Sequence, residues 1–308
     1  MRRRSDRAVY VLMRAGEAIV RLLPRPVAMA LGAALGRAAG AIGLRREVAR
    51  ANVARAFPEL GDRERAAVVA RVYAHFGRAT VDSLLVASSG PGALLHLVDG
   101  GEIVRIVDER LPRGRGILIV TGHVGNWELA GAYLAARGYP LAAVVKPPAN
   151  PYVAAHAEAT RRRLGIETIL MPEALARVPD ALRAGKLVAL VADQGAIRSD
   201  IWAPFFGVPT QTPVGPGLFA ARTGAPVLFG ALLAQPGGRY KLLGEVLEDA
   251  PTDDPAAMAR AVAERYRARL EAVVRSAPGQ YLWTHRLWKR RPPAEPRPGP
   301  PPGAPAER

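Results

Sequence analysis

The 308-residue chain contains no cysteine, which excludes thiol nucleophiles, disulfide staples and cysteine-based zinc sites. It also lacks a G-x-S-x-G nucleophile elbow, an H-E-x-x-H zinc helix and a P-loop string. The commonest sequence routes to a serine hydrolase, a zinc protease or a nucleotide-phosphate enzyme are therefore closed. Aromatic residues are sparse, at 6%, and no stretch alternates them with basic residues like a single-stranded nucleic-acid platform. Acidic residues are the minority: 43 Lys and Arg stand against 27 Asp and Glu, a formal net charge of +16. Such an excess calls for an anionic partner, and with the aromatic platform missing, a lipid phosphate or membrane surface fits it better than nucleic acid.

What is present is enough apolar material, 49% of the chain, to bury a large core as one domain or as a domain with an appendage. The organising stretch is 116–128. Ile117 to Val120 is a short apolar run rich in β-branched residues and reads as a buried strand. Asn126 then caps a helix expected over residues 127–137. His123 falls in the turn between them and Glu128 in the first helical turn. In a parallel α/β sheet, ligands bind beyond the carboxyl ends of the strands, so a histidine here projects into the cleft. An imidazole so placed can take a proton from a hydroxyl, and a carboxylate such as Glu128 can fix its tautomer. Glu128 also has a plainer role, since an acid in a first helical turn complements the helix dipole.

The H-x-x-x-x-E spacing in a strand-turn-helix setting resembles the signature of the glycerolipid acyltransferase superfamily. The wider string from Gly122 through His123, Gly125, Asn126, Trp127 and Glu128 to Ala130 resembles the branch containing the late acyltransferases of lipid A biosynthesis. Three other passages resemble the same branch: Asn52 with Phe57-Pro58-Glu59-Leu60; Asp193-Gln194 followed by Pro204-Phe205-Phe206-Gly207; and Trp283-Thr284-His285 with Trp288-Lys289. The chain departs from the family at Ser199-Asp200-Ile201-Trp202-Ala203-Pro204, where members often carry Gly-Val-Phe-Val-Pro.

The resemblance implies transfer of a fatty acyl chain to a hydroxyl of a lipid A precursor, directly and without an acyl-enzyme. The donor would be acyl carrier protein or acyl-CoA, with no metal or bound cofactor. His123 would be the general base, oriented by Glu128, and backbone N–H groups of 122–126 would stabilise the oxyanion. Arg161, with Arg162 and Arg163 as alternatives, would hold the headgroup phosphate. Asn126, Asp193, Gln194, Phe205 and Phe206 would complete the substrate side, Asp193 either anchoring sugar or supporting the site. Two other readings share these motifs: acylation of another glycolipid or a lysophospholipid, and lipid binding without catalysis.

Around the centre, strands are expected at 141–145, 166–170 and 186–191, with helices between them, then a hairpin of strands around Gly237-Gly238. A final helix is capped by Asp254, with Met258, Val262, Tyr266, Leu270 and Val273 on its buried face. The fold class is therefore α/β, a mostly parallel central sheet flanked by helices, with an N-terminal membrane-associated helical appendage. Residues 1–44 form that appendage, 45–292 the acyltransferase domain, and 293–308 a disordered Pro-rich tail. Within 8–23, Val9, Leu12, Met13, Ile19, Val20 and Leu23 share one face opposite Arg7, Arg14, Glu17 and Arg21, a pattern suited to lying at a membrane surface. Residues 26–44 are short of the roughly 20 apolar residues that a span needs and read as a hairpin dipping into one leaflet, or as helices packed on the core. N-terminal basic residues favour the cytoplasmic face of an inner membrane. The Trp283–Trp288 passage suits either a membrane interface or a device pinning the sheet, and His75 and His96 read as structural.

Overall fold

The computed structural model describes residues 2–194, 199–249, 254–290 and 292. Gly195 and the 293–308 tail lie outside them. Four helices open the chain: α1 (Arg2–Arg21), α2 (Arg25–Ala41), α3 (Arg46–Ala56) and α4 (Asp62–Ser89). Strands β1 (Val98–Asp99), β2 (Ile117–Thr121), β3 (Leu141–Val145), β4 (Ile166–Leu170) and β5 (Leu187–Val191) then alternate with α5 (Gly101–Arg110), α6 (Trp127–Ala136), α7 (Pro151–Arg163) and α8 (Ala174–Arg183). The hairpin β6 (Trp202–Phe205) and β7 (Val208–Gln211), helix α9 (Gly215–Thr223), strands β8 (Val227–Ala234) and β9 (Tyr240–Glu248), and α10 (Pro255–Ser276) complete it.

Among the described residues, seven strands form one sheet in the order β1-β9-β8-β2-β5-β3-β4. The run from β8 to β4 is parallel, and β9 joins β8 antiparallel through the expected turn at Pro236–Gly238. Strand β2 lies in the middle and is apolar from Ile117 to Val120 because helices cover both faces. Ile117 and Ile119 pack with α5 and α6, through Ile103, Ile106 and Leu129. Leu118 and Val120 pack the other way, with Val178 of α8 and Val262, Leu270 and Val273 of α10. Parallel pairing also brings the carboxyl ends of β2, β3, β5 and β8 to one edge, where the segments carrying polar side chains emerge.

Helix α2 docks on α4 through glycine. A Cβ at Gly36 would run into the carbonyl oxygen of Tyr73, and one at Gly77 into that of Gly32, so the two backbones approach as only glycine permits. At the start of α2, Arg25 forks onto the carboxylate of Asp82 in α4, with Nε–Oδ1 2.8 Å and Nη2–Oδ2 2.7 Å, and Tyr240 donates to the same carboxylate at 2.6 Å. Burial and that neighbouring carboxylate push the Tyr240 phenol far above its usual range. Outside this contact the polarity is reversed. Val9, Leu12 and Ile19 of α1 and Val27, Leu31 and Leu35 of α2 are exposed, while the Glu17 side chain is buried against Arg14, Arg21 and His156 of α7. Among the described residues no single helix is long and apolar enough to cross a membrane; α2 and α3 together, bent by 92°, pass that test by length and composition.

One sequence expectation changes here, and one open alternative is decided. The 202–212 passage is a two-stranded hairpin, with Phe205 opposite Val208 and Phe206-Gly207 forming a two-residue turn at φ +53° and +70°, the geometry of a type I′ turn. Packing keeps a bulky residue in that conformation: the Phe206 ring lies 5.2 Å from Phe57 and 5.6 Å from Trp283, under the Arg275 guanidinium at 4.5 Å. Phe205 and Phe206, expected to contact substrate, are 0% and 7% exposed and serve as core. Trp283 is likewise fully buried, its indole N–H donating to the Pro278 carbonyl at 2.8 Å, so it pins the sheet and does not reach a membrane interface.

Candidate active site

The register of β2 and β5 sets the site. Thr121 pairs with Val191, so His123 and Asp193, each two residues further on, emerge side by side. His123 Nδ1 lies 2.7 Å from Asp193 Oδ1, and the His123 backbone N–H donates to Asp193 Oδ2 at 3.0 Å. Asp193 is 3% exposed. Burial by itself would raise its carboxyl, but the hydrogen bonds and charge of His123, together with Arg267, outweigh that and hold it below the usual carboxylate range. An ionised Asp193 accepts from Nδ1–H, which fixes the neutral tautomer and leaves the Nε2 lone pair free.

This arrangement corrects the assignment of Glu128 as the orienting acid. Its carboxylate instead takes a fork from Arg161, with Nη2–Oε1 2.7 Å and Nε–Oε2 3.3 Å. The same pair occupies Arg161, expected to hold a phosphate. Arg162 is exposed on the last turn of α7 and Gln194 is half-buried. Asn126, also expected on the substrate side, is 4% exposed and spent on structure: Oδ1 caps Leu129 N at 3.2 Å, and Nδ2 donates to the Ala79 carbonyl at 3.1 Å.

The loop 122–126 is braced from every direction. Val124 N–H donates to Gly122 O, Gly125 N–H to Gln280 O and Asn126 N–H to Leu232 O, while Leu282 N–H donates to the His123 carbonyl. His75 contacts the Gly125 carbonyl at 3.0 Å through Nε2, and burial holds its imidazole below the usual histidine range. The amides of 123–126 expected to stabilise an oxyanion are therefore already engaged. Among the described residues, the backbone N–H groups of Trp127 and Glu128, in the first turn of α6, are left without a carbonyl partner.

Beneath His123 a cavity of about 490 Å³ runs between the sheet and α6, within the range of small-ligand sites. Its mouth carries His123, Trp127, Glu128, Arg161, Gln194 and His285, and the Trp127 ring meets His123 edge-on at 4.7 Å. The buried part of its lining is apolar and includes Ile103, Ile119, Leu134 and Leu242, with Gly230 beside them.

Two supporting residues carried no sequence signal of a role at this site. Arg267 of α10, 0% exposed, donates from Nη1 and Nη2 to the Asp193 carbonyl at 3.3 Å and from Nε to Thr212 Oγ1 at 2.9 Å. Tyr266, its neighbour, donates to the Thr121 carbonyl at 2.9 Å. On a helix with a plain packing pattern, Tyr266 read only as core, and Arg267 could not be told from a surface residue. No group of three or more His, Asp or Glu among the described residues is placed to hold a metal.

The sequence model for bacterial lipid A biosynthesis acyltransferases matches residues 2–290. Among characterised proteins the chain is similar to the lipid A biosynthesis palmitoleoyltransferase of Escherichia coli K12, 28% identical over 279 residues, 89% of this chain and 88% of that one. The E. coli K12 lipid A biosynthesis lauroyltransferase is 28% identical over 276 residues, 88% of each. A phosphatidylinositol mannoside acyltransferase of Mycobacterium tuberculosis H37Rv is 29% identical over 171 residues. The match spans about half the length of this mycobacterial relative, 54% of each chain.

Proposed function

Because the chain belongs to the bacterial lipid A biosynthesis acyltransferase family, we propose that it is an O-acyltransferase in which His123, held by Asp193, activates a glycolipid hydroxyl. The observation that carries this reading is the 2.7 Å His123–Asp193 contact at the mouth of an apolar cavity. Nε2 takes the proton of the acceptor hydroxyl as its oxygen attacks the thioester carbonyl carbon. The oxyanion that forms is met by the N–H groups of Trp127 and Glu128 at the start of α6. Collapse breaks the carbon–sulfur bond, and the imidazolium returns the proton to the departing thiolate. Asp193 stabilises that imidazolium by charge.

The fatty chain of the donor occupies the apolar depth between the sheet and α6. The Glu128–Arg161 pair stands at the mouth, where its charges border the reacting carbonyl. The donor is an acyl thioester of carrier protein or CoA, and the acceptor a phosphorylated glycolipid of the lipid A type. The exposed apolar faces of α1 and α2 rest on the membrane that supplies it, with the cationic surface favouring the cytoplasmic leaflet.

The test is transfer of a labelled acyl group from acyl carrier protein to a tetra-acylated lipid A precursor. Wild type should transfer, and His123→Ala should lose on the order of 10²–10⁴-fold in rate. An inert wild type on this acceptor would remove the lipid A assignment. A His123→Ala variant as fast as wild type would remove the mechanism.

A further inference from the structure

A second and larger concavity, of about 950 Å³, opens beside the catalytic loop. It is walled by α2, α4, the β8–β9 turn and residues 276–280, and it shares no lining residue with the cavity beneath His123. The two are nonetheless neighbours. His75 and Gln280 line the cleft, and these are the residues that bond the two sides of Gly125, two positions after His123.

Five arginines face this cleft: Arg25, Arg37, Arg71, Arg78 and Arg239. Arg25 is neutralised by Asp82 at 2.7 Å. The side chains of the other four make no hydrogen bond or ion pair with another described residue, and no Asp or Glu lines the wall. They come from three separate segments, α2, α4 and the β8–β9 turn. Like charges gathered in a concave site repel one another and focus a positive potential into it. A ligand with several negative charges relieves that repulsion, and guanidinium groups suit phosphate in particular.

We propose that this cleft, and not Arg161, receives the clustered phosphates of a lipid headgroup. Arg161 is already forked onto Glu128. Helix α2, which supplies Arg25 and Arg37 to the cleft, turns Val27, Leu31 and Leu35 outward. Apolar surface for tails and cationic surface for a headgroup thus sit on two sides of one helix, which favours a lipid over a soluble phosphate. The proposal rests on the acyl-transfer reading only for naming a phosphorylated glycolipid as that lipid.

The experiment is flotation of the full chain with phosphatidylcholine vesicles carrying a disaccharide lipid with two phosphates, the same lipid without phosphates, or phosphatidylglycerol at equal charge. Wild type should favour the diphosphate vesicles by at least about tenfold over both others. The pair Arg37→Glu with Arg239→Glu should fall to the dephosphorylated level, whereas Arg37→Lys with Arg239→Lys, which keeps the charge, should retain most of the preference. His123→Ala should float like wild type. No preference in wild type, or equal loss on phosphatidylglycerol, overturns the proposal. It is also overturned if the Glu pair floats normally but has a raised KM for acyl carrier protein, which would give the cleft to an acidic protein. If flotation behaves as expected while wild type transfers nothing to the lipid A precursor, the cleft stands and the lipid A assignment fails.

Discussion

The imidazole Nδ1 of His123 lies 2.7 Å from Oδ1 of Asp193, although 70 residues separate them along the chain. The contact follows from the sheet. Strands β2 and β5 are parallel neighbours with Thr121 opposite Val191, so the residues two places beyond each strand end leave the edge together. In the proposed mechanism the general base is thus oriented from the adjacent strand, and the helix that follows its turn, α6, offers the N–H groups of its first turn.

The closeness of α2 and α4 is testable by adding one carbon. Gly36→Ala places a Cβ against the Tyr73 carbonyl, and backbone does not yield as a flexible side chain would. A loss of about 1–3 kcal/mol is expected in denaturant unfolding. Gly16→Ala, where a Cβ meets nothing within 4 Å, should leave stability unchanged or raise it by about 0.5–1 kcal/mol. Equal behaviour of the two variants would mean that α2 is not docked as described.

Stability should fall on mild acidification, partly through His75. Burial holds its folded pKa below the ordinary 6.5, and His156 and His285 are lowered for the same first reason. Above about 6.5 these rings are neutral in both folded and unfolded chains, so they cost nothing. As pH drops below that value the unfolded chain binds protons first, and stability is lost until the folded pKa is passed. His75→Gln, which keeps an N–H for the Gly125 carbonyl, should show a smaller fall in Tm between pH 7.5 and 5.5 than wild type. Parallel Tm curves would show that His75 is not buried as the neutral ring.

Gly230 offers a handle on acyl-chain selection. It lines the apolar depth of the cavity, and a Cβ there would sit 3.1 Å from Ile119 Cγ2 and 3.3 Å from Ile103 Cδ1. Gly230→Val should fill part of that space and move donor preference toward shorter chains, with a stability cost of about 1–3 kcal/mol. The check is competition between donors of different chain length; an unchanged product distribution would place the acyl chain elsewhere.

Much of this architecture is readable in the sequence because local pattern and burial agree. The apolar runs of β2, β3 and β4, the Asn126 and Asp254 caps, and the buried face of α10 are set by neighbours in the chain. Asp193 was visible as a polar residue at a strand end, but its pairing with His123 depends on β5 lying beside β2, which no local pattern encodes. The expected pairing of Glu128 with His123 rests on the spacing from the turn into the first turn of α6, whereas Arg161 engages Glu128 from α7. The Phe206-Gly207 turn was masked because a phenylalanine at positive φ relies on Phe57 and Trp283, remote in sequence. The cleft arginines are scattered over three segments and converge only in the fold.

The most direct test of the central claim compares kcat for acyl transfer in Asp193→Asn and Glu128→Gln, both near-isosteric. With Asp193 as the orienting acid, Asp193→Asn should lose on the order of 10²–10⁴-fold, whereas Glu128→Gln, which only loosens the pair with Arg161, should stay within about tenfold of wild type. A Glu128→Gln variant that collapses while Asp193→Asn remains near wild type would contradict the account and return the orienting role to Glu128.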